Sequence, residues 1–287
     1  MGDLLGSRSC SCIRAGISIM RQRRTHLIYW LSVASLCVLF WLRKYSRGSE
    51  GGNGACLLIG YADGYSAQIL LPLISSFHAF TPQNCLLAVF MRVSYADQMQ
   101  WFENFGRLVI VDPSTVAVLE PESSALKDHA AFYRYFVIHS WLRPRYSQFA
   151  RIIMADLRDT ALFDNPFDQL VASGDAIQSF TEIKSYWEED KYNQKWIRNC
   201  YGPDFLDDIL HEPMTCCGVI ASSGRGMEQY LKAFTAEMLS KQGCDDVGLD
   251  TAVHVWITHK VLENVSFVDS ESALIRHSPA WNDDNQP

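Results

Sequence analysis

The stretch RIIMADLRDTALFDNPF, Arg151 to Phe167, decides how this chain is read. Its apolar run stops at two carboxylates, Asp156 and Asp159, and then enters a turn closed by Asn165, Pro166 and Phe167. A run such as residues 149–155 has the character of a buried strand in a parallel sheet, and α/β proteins bind ligands in the crevice beyond the carboxyl ends of such strands. Two hard oxygen donors at that place suit Mg²⁺ or Mn²⁺ carried by a diphosphate. The same residues also suit an acidic loop that caps the next element, because Asp is common in turns.

On the amino-terminal side of this block, strand and helix patterns alternate. Strands are expected over 55–60, 85–91, 107–111 and 149–155, with helices over 65–80, 94–105 and 126–142. Such alternation predicts an α/β fold with a mainly parallel sheet and covering helices. Pro72 weakens the first helix, since it sits where an interior N–H should bond. Ser94 with Asp97 has the form of a helix cap. Beyond the acidic turn the pattern is less regular. An aromatic and charged stretch over 180–196 precedes a short strand at 217–221 and a helix over 225–242. In that helix Met227, Tyr230, Leu231, Phe234 and Met238 recur at spacings of three and four, which marks a face packed into the core.

Leu27 to Leu42, LIYWLSVASLCVLFWL, is free of charge and proline and is flanked by arginines on both sides. At about 1.5 Å per residue it covers about 24 Å, enough for a thin early secretory bilayer, with Tyr29, Trp30 and Trp41 at the interfaces. The competing expectation is a cleaved signal peptide, but Trp-Leu-Arg-Lys stands where small residues should mark a cleavage site. Arg8, Arg14, Arg21, Arg23 and Arg24 against Asp3 keep the amino terminus cytosolic. The expected organisation is therefore a cytosolic tail over 1–26, a transmembrane signal anchor over 27–42, a short Gly/Ser-rich stem over 43–54 and a luminal domain over 55–287.

Of the 287 residues, those from 51 onward carry 17 basic and 30 acidic side chains, a balance of −13. Such a domain repels nucleic acid, and a phosphate-bearing ligand would need a metal or a local Arg site. Six cysteines fall in the expected luminal part: Cys56, Cys85, Cys200, Cys216, Cys217 and Cys244. An oxidising lumen predicts at least one disulfide among them, without saying which residues pair. Asn264-Val265-Ser266 is a usable N-glycosylation acceptor.

Taken together, several blocks resemble the nucleotide-diphospho-sugar transferases of the secretory pathway, a family of GT-A-fold, single-span type II membrane proteins. They are HAAFYRYFVIHSWL with Arg134-Tyr135, IIMADLRDTALFDNPF, FTEIKSYW, NQKWIRNCYG, CCGVIASSGRGMEQYLKAF and GLDTAVHVWI. Asp156, Arg158, Asp159, Phe163, Pro166 and Phe167 fit the family's acidic block, which stands where other GT-A enzymes carry D-x-D. The resemblance implies transfer of a sugar from a nucleotide-sugar donor to a glycan or glycoprotein acceptor in the Golgi or ER lumen, dependent on Mn²⁺ or Mg²⁺. It implies Asp156, Asp159 and His277 as metal ligands, with Asp159 the second Asp of the motif. Two positions depart from the family pattern: Cys217 stands before Gly218 where Ser is usual, and Thr251 follows Asp250 where Gln is usual.

The chemistry of such a transfer assigns roles to further residues. Arg134 and Arg158 are candidates to contact the diphosphate, each with a structural alternative as partner of a carboxylate. Inversion at the anomeric carbon needs a carboxylate to take the acceptor's proton, and Asp250 and Glu182 are the candidates. Asp250 could instead be a helix cap. Glu182 lies near Tyr186 and Trp187, aromatics suited to sugar faces. His254, one turn beyond Asp250, either joins the site or packs in the core. The alternative function is a non-catalytic luminal protein that keeps the fold to bind a glycan or partner an active transferase. A two-metal hydrolase is disfavoured by the lack of a His-rich ligand set.

Overall fold

The computed structural model describes residues 54–62, 64–65, 67–92, 106–120, 126, 129–158, 160–169, 175–186, 190–244, 247–269 and 275–277. The expected tail, span and nearly all of the stem lie outside these residues, as does the helix expected over 94–105. Among the described residues no helix is long and apolar enough to cross a membrane.

The chain runs β1 (Ala55–Tyr61), α1 (Ala67–Phe80), β2 (Cys85–Phe90), β3 (Leu108–Val111), α2 (Ala130–Leu142), β4 (Phe149–Ala155) and β5 (Thr160–Leu162). It continues through α3 (Pro166–Gln169), β6 (Ile177–Tyr186), α4 (Lys191–Tyr201), α5 (Pro203–Ile209), β7 (Pro213–Ser222) and α6 (Gly224–Ser240). Last come α7 (Leu249–Trp256), a π-turn (Ile257–Val261), β8 (Val265–Val268) and β9 (Ile275–His277). Seven strands form one sheet in the order β3-β2-β1-β4-β7-β6-β8, and β5 pairs with β9 in a separate ribbon. The four strands from β3 to β4 are mutually parallel. β7 runs antiparallel to both β4 and β6, and β8 is parallel to β6. The sheet is thus mostly parallel, as the alternating pattern predicts.

Central strands are apolar on both faces because helices cover both. Leu57, Leu58, Ile59, Ile152 and Ile153 are fully buried, each contributing roughly 1.5–3 kcal/mol of hydrophobic stabilisation. Pro72 does lie inside α1, on its exposed side, while Leu70, Leu73, Ile74 and Phe77 bury the opposite face. Core burial on that face outweighs the lost backbone bond.

Three expectations are corrected. α2 begins at Ala130 rather than 126, with His129 as a cap lacking a side-chain bond. The strand expected at 217–221 is ten residues long, because β7 is hydrogen-bonded on both edges and pairing with β6 draws in Pro213 and Thr215. The stretch judged irregular after the acidic turn contains β6 and α4. Register shifts at Ser179/Phe180 and between Thr181 and Tyr186 break the two-residue alternation by which a strand is recognised.

Two disulfides form among the described residues. Cys56 and Cys85 stand directly opposite each other on β1 and β2, with Cα atoms 4.4 Å apart. Cys200, near the end of α4, bonds Cys244 in the turn after α6, at 5.0 Å. Cys217 is the free thiol among the described residues.

Candidate active site

The strand order reverses direction at β1: β2 and β3 follow on one side and β4 on the other. In open α/β sheets that reversal opens a crevice at the carboxyl ends of the two flanking strands. A cavity lies there, lined by Tyr61 at the end of β1, Met154 and Ala155 at the end of β4, Asp156 just beyond, and Arg134 and Cys217. Gly60 lets the strands close at this point, since a Cβ on it would collide with the carbonyl of Ala155 and the side chain of Leu157. The turn is fixed to β7 by the Asp156 amide, which donates to the Gly218 carbonyl at 2.6 Å.

Arg134 is the hub of the site. It projects from α2 and makes a close ion pair with Asp156 through one terminal nitrogen. The other terminal nitrogen reaches the Tyr135 hydroxyl at 3.0 Å and Asp250 at 3.4 Å. Its guanidinium also lies 4.9 Å from the Tyr135 ring centroid. Asp250 arrives from the first turn of α7, and its other oxygen accepts from the Thr251 amide at 2.9 Å. One half-buried cation therefore bridges two carboxylates that enter from different elements. Burial acts to lower the Arg134 pKa, but the attraction of Asp156, Tyr135 and Asp250 together raises it well above its ordinary value. Burial raises the Asp250 carboxyl, and Arg134 pulls it partly back. The Cys217 thiol, 3.5 Å from the Thr251 hydroxyl, is pushed up chiefly by burial and then by Asp250, so it stays protonated.

Of the residues singled out from sequence, the fold thus brings Arg134, Asp156 and Asp250 together. Arg134 has carboxylate partners rather than an open guanidinium, and Asp250 lies inside its helix, the cap position being Gly248. Arg158 is exposed in the turn after β4. Glu182 is half-buried on β6. Asp159 lies outside the described residues, and of His277 the backbone alone is described. That backbone pairs with Thr160, the residue after Asp159, in the β5–β9 ribbon. Among the described residues no group of three or more His, Cys, Asp or Glu side chains is placed to hold a metal. The two departures from the family pattern, Cys217 and Thr251, are hydrogen-bonded to each other. Two residues of the site had no role assigned from sequence: Tyr61, which ends an apolar strand, and Tyr135, which sits beside Arg134.

No family model matches the chain, and no curated protein matches it. Solved structures similar to it include the bifunctional glycosyltransferase WbbM in its apo form, 14% identical with a TM-score of 0.47, over 77% of this chain and 40% of that one. Another is the galactosyltransferase LgtC in complex with donor and acceptor sugar analogues, 13% identical with a TM-score of 0.47, over 75% of this chain and 73% of that one. The chain therefore spans two fifths of the length of WbbM.

His254 packs in the core. It is fully buried, with Nε2 3.0 Å from the Ser179 hydroxyl and Nδ1 3.0 Å from the Tyr230 hydroxyl. Burial, followed by the charge of His259, lowers its pKa from 6.5 to about 3. A depressed histidine is neutral in the folded state and gains its proton on unfolding. Its contribution to stability is therefore complete above pH 6.5 and is lost as pH falls toward 3. Acidification from pH 7 to 5 should cost roughly 2 kcal/mol through this residue alone. Urea melts at the two pH values check this: a folded His254→Gln variant should show a smaller loss than wild type, and an equal loss would contradict the account.

Proposed function

We propose that the protein is a glycosyltransferase that moves a sugar from a nucleotide-diphosphate sugar to a hydroxyl of a glycan or glycoprotein. The observation that carries this reading is the cavity at the strand-order reversal, lined by Asp156 and Arg134, with Asp250 paired to the same Arg134. Departure of a diphosphate builds negative charge, and a crevice with a fixed cation and a carboxylate at a strand end suits that chemistry. The raised Asp250 carboxyl suits a proton acceptor for the incoming hydroxyl, because a base is more effective as its pKa approaches the working pH.

A divalent cation, Mn²⁺ or Mg²⁺, would neutralise charge on the leaving diphosphate. Asp156 fits such an ion: it is a hard oxygen donor at the carboxyl end of β4 whose side chain is 31% exposed. Asp159 and His277 complete the proposed ligand set, supported by the pairing of Thr160 with His277. Arg134 orients Asp156, and Arg158 stands on the exposed turn as a diphosphate contact. Glu182 is the second candidate for the proton acceptor.

A thermal-shift panel of nucleotide sugars with and without Mn²⁺ tests the assignment. One donor should stabilise the protein in a Mn²⁺-dependent way, and Asp159→Asn should abolish the metal-dependent part. If no nucleotide sugar shifts the wild-type melt, the non-catalytic reading takes its place. If Asp159→Asn behaves as wild type, the metal lies elsewhere.

We further propose a Golgi or ER location, with residues 1–26 cytosolic, a single span over 27–42 and the domain luminal. Support comes from the arginine excess before the span and from two disulfides, which persist in oxidising compartments. Protease added to sealed microsomes should leave the domain intact until detergent is present. Digestion of the domain without detergent would reverse the orientation.

A further inference from the structure

The segment that delivers Asp250 is held from outside the cavity. α7 starts at Leu249, directly after Gly248, and Gly248 is buried against the indole of Trp196 on α4 so closely that a Cβ would overlap the ring. Four residues earlier, Cys244 is bonded to Cys200 on the same α4. At the far end of α7, Trp256 stacks on Tyr201 with ring centroids 4.6 Å apart and meets Phe205 edge-on at 4.9 Å. The turn that carries Cys244 is kept short by Gly243 in a left-handed conformation, φ 82°, and Lys241 lies over the Tyr201 ring at 4.7 Å. α4 is thus a platform with a covalent tie and an aromatic wedge, both placed just before the helix turn that bears Asp250.

The two disulfides differ in access. Cys56 and Cys85 are 5% and 0% exposed within the sheet, whereas Cys244 sits in a partly exposed turn. A thiolate reductant can reach the second and not the first without unfolding.

We propose that the Cys200–Cys244 disulfide and the Trp196–Gly248 wedge form a redox-sensitive clamp that positions Asp250 against Arg134. The inference rests on the assignment of Asp250 as the proton acceptor. A dithiol reductant attacks the Cys244 sulfur, passes two electrons and two protons to the bond, and leaves two protein thiols and its own cyclic disulfide. Cys244, four residues before Gly248, then loses its covalent tie to α4, and Asp250 loses its fixed distance to Arg134. Small displacements of a catalytic group cost about 10²-fold in rate while leaving ligand binding intact.

The test uses the full chain in detergent, titrated with dithiothreitol. Alkylation mapping should find Cys200 and Cys244 labelled before Cys56 and Cys85. Amide hydrogen exchange should rise at 248–252 while β1 and β2 stay protected. With the donor named by the thermal-shift panel, kcat should fall at least tenfold with donor KM within about twofold, and reoxidation should restore it. Gly248→Ala, which keeps the disulfide but displaces the wedge, should reproduce the same split between kcat and KM. Unchanged exchange at 248–252 with both cysteines alkylated would overturn the clamp, and so would a loss of protection that spreads to β1 and β2. The exchange readout needs no donor, so absence of transferase activity and absence of a clamp give different results.

Discussion

Asp250→Asn is expected to bind the nucleotide-sugar donor as tightly as wild type and to transfer sugar about 10²–10³ times more slowly, the usual cost of losing one transition-state contact. The substitution preserves shape: an asparagine oxygen can still accept from the Thr251 amide, as Asp250 does at 2.9 Å. What it removes is the site for the acceptor's proton. The pH profile of the wild type should carry the same signature. Because the Asp250 carboxyl is raised by burial, the acid limb of kcat/KM should lie above the ordinary carboxylate range. Titration of donor by calorimetry beside a transfer assay separates the two quantities. Equal loss of binding and turnover would move Asp250 from the proton to the donor.

Arg134→Leu is expected to lower stability by about 3 kcal/mol at pH 7, the lower end of the cost of breaking a buried ion pair by removing one partner. The lower end applies because Asp156 retains 31% exposure and so keeps part of its hydration. In the variant Asp250 loses the cation that pulls its carboxyl down, which raises that carboxyl further in the folded state. A group raised on folding contributes stability below its unfolded pKa and loses it as pH rises through the folded value. The deficit of Arg134→Leu should therefore shrink as pH falls from 7 toward 4. Urea melts of both proteins across that range measure it. A deficit that stays constant with pH would mean that packing, not charge, is what Arg134 supplies.

The parallel half of the fold was legible in the sequence because each of its strands is a mostly apolar run, and β1 and β2 at its centre are buried on both faces. β4 is the clearest case: its bounds follow from the apolar run and the abrupt arrival of Asp156. β6 was not legible, since its bulges destroy the alternation that marks a strand, and its charged residues imitate a loop. The acids of the site could be picked out by type and place in the chain. Arg134 could be picked out too, but not which carboxylates it joins, because it meets Asp156 and Asp250 only through the crossing of α2, β4 and α7 in space. His254 shows the opposite case. Its place four residues after Asp250 invites a functional role, while its complete burial and two hydroxyl partners make it part of the core.

Arg134 and Asp250 are separated by 116 residues, whereas Arg134 and Asp156 are separated by 22. Contacts of long sequence separation form late, and chains emerge from the ribosome amino-terminal end first. A nascent chain that has passed Asp156 already contains every strand from β1 to β4 and both partners of the first ion pair. It still lacks the second acid. Competence is therefore the last thing the chain acquires, after α7 has brought Asp250 and β9 has brought His277.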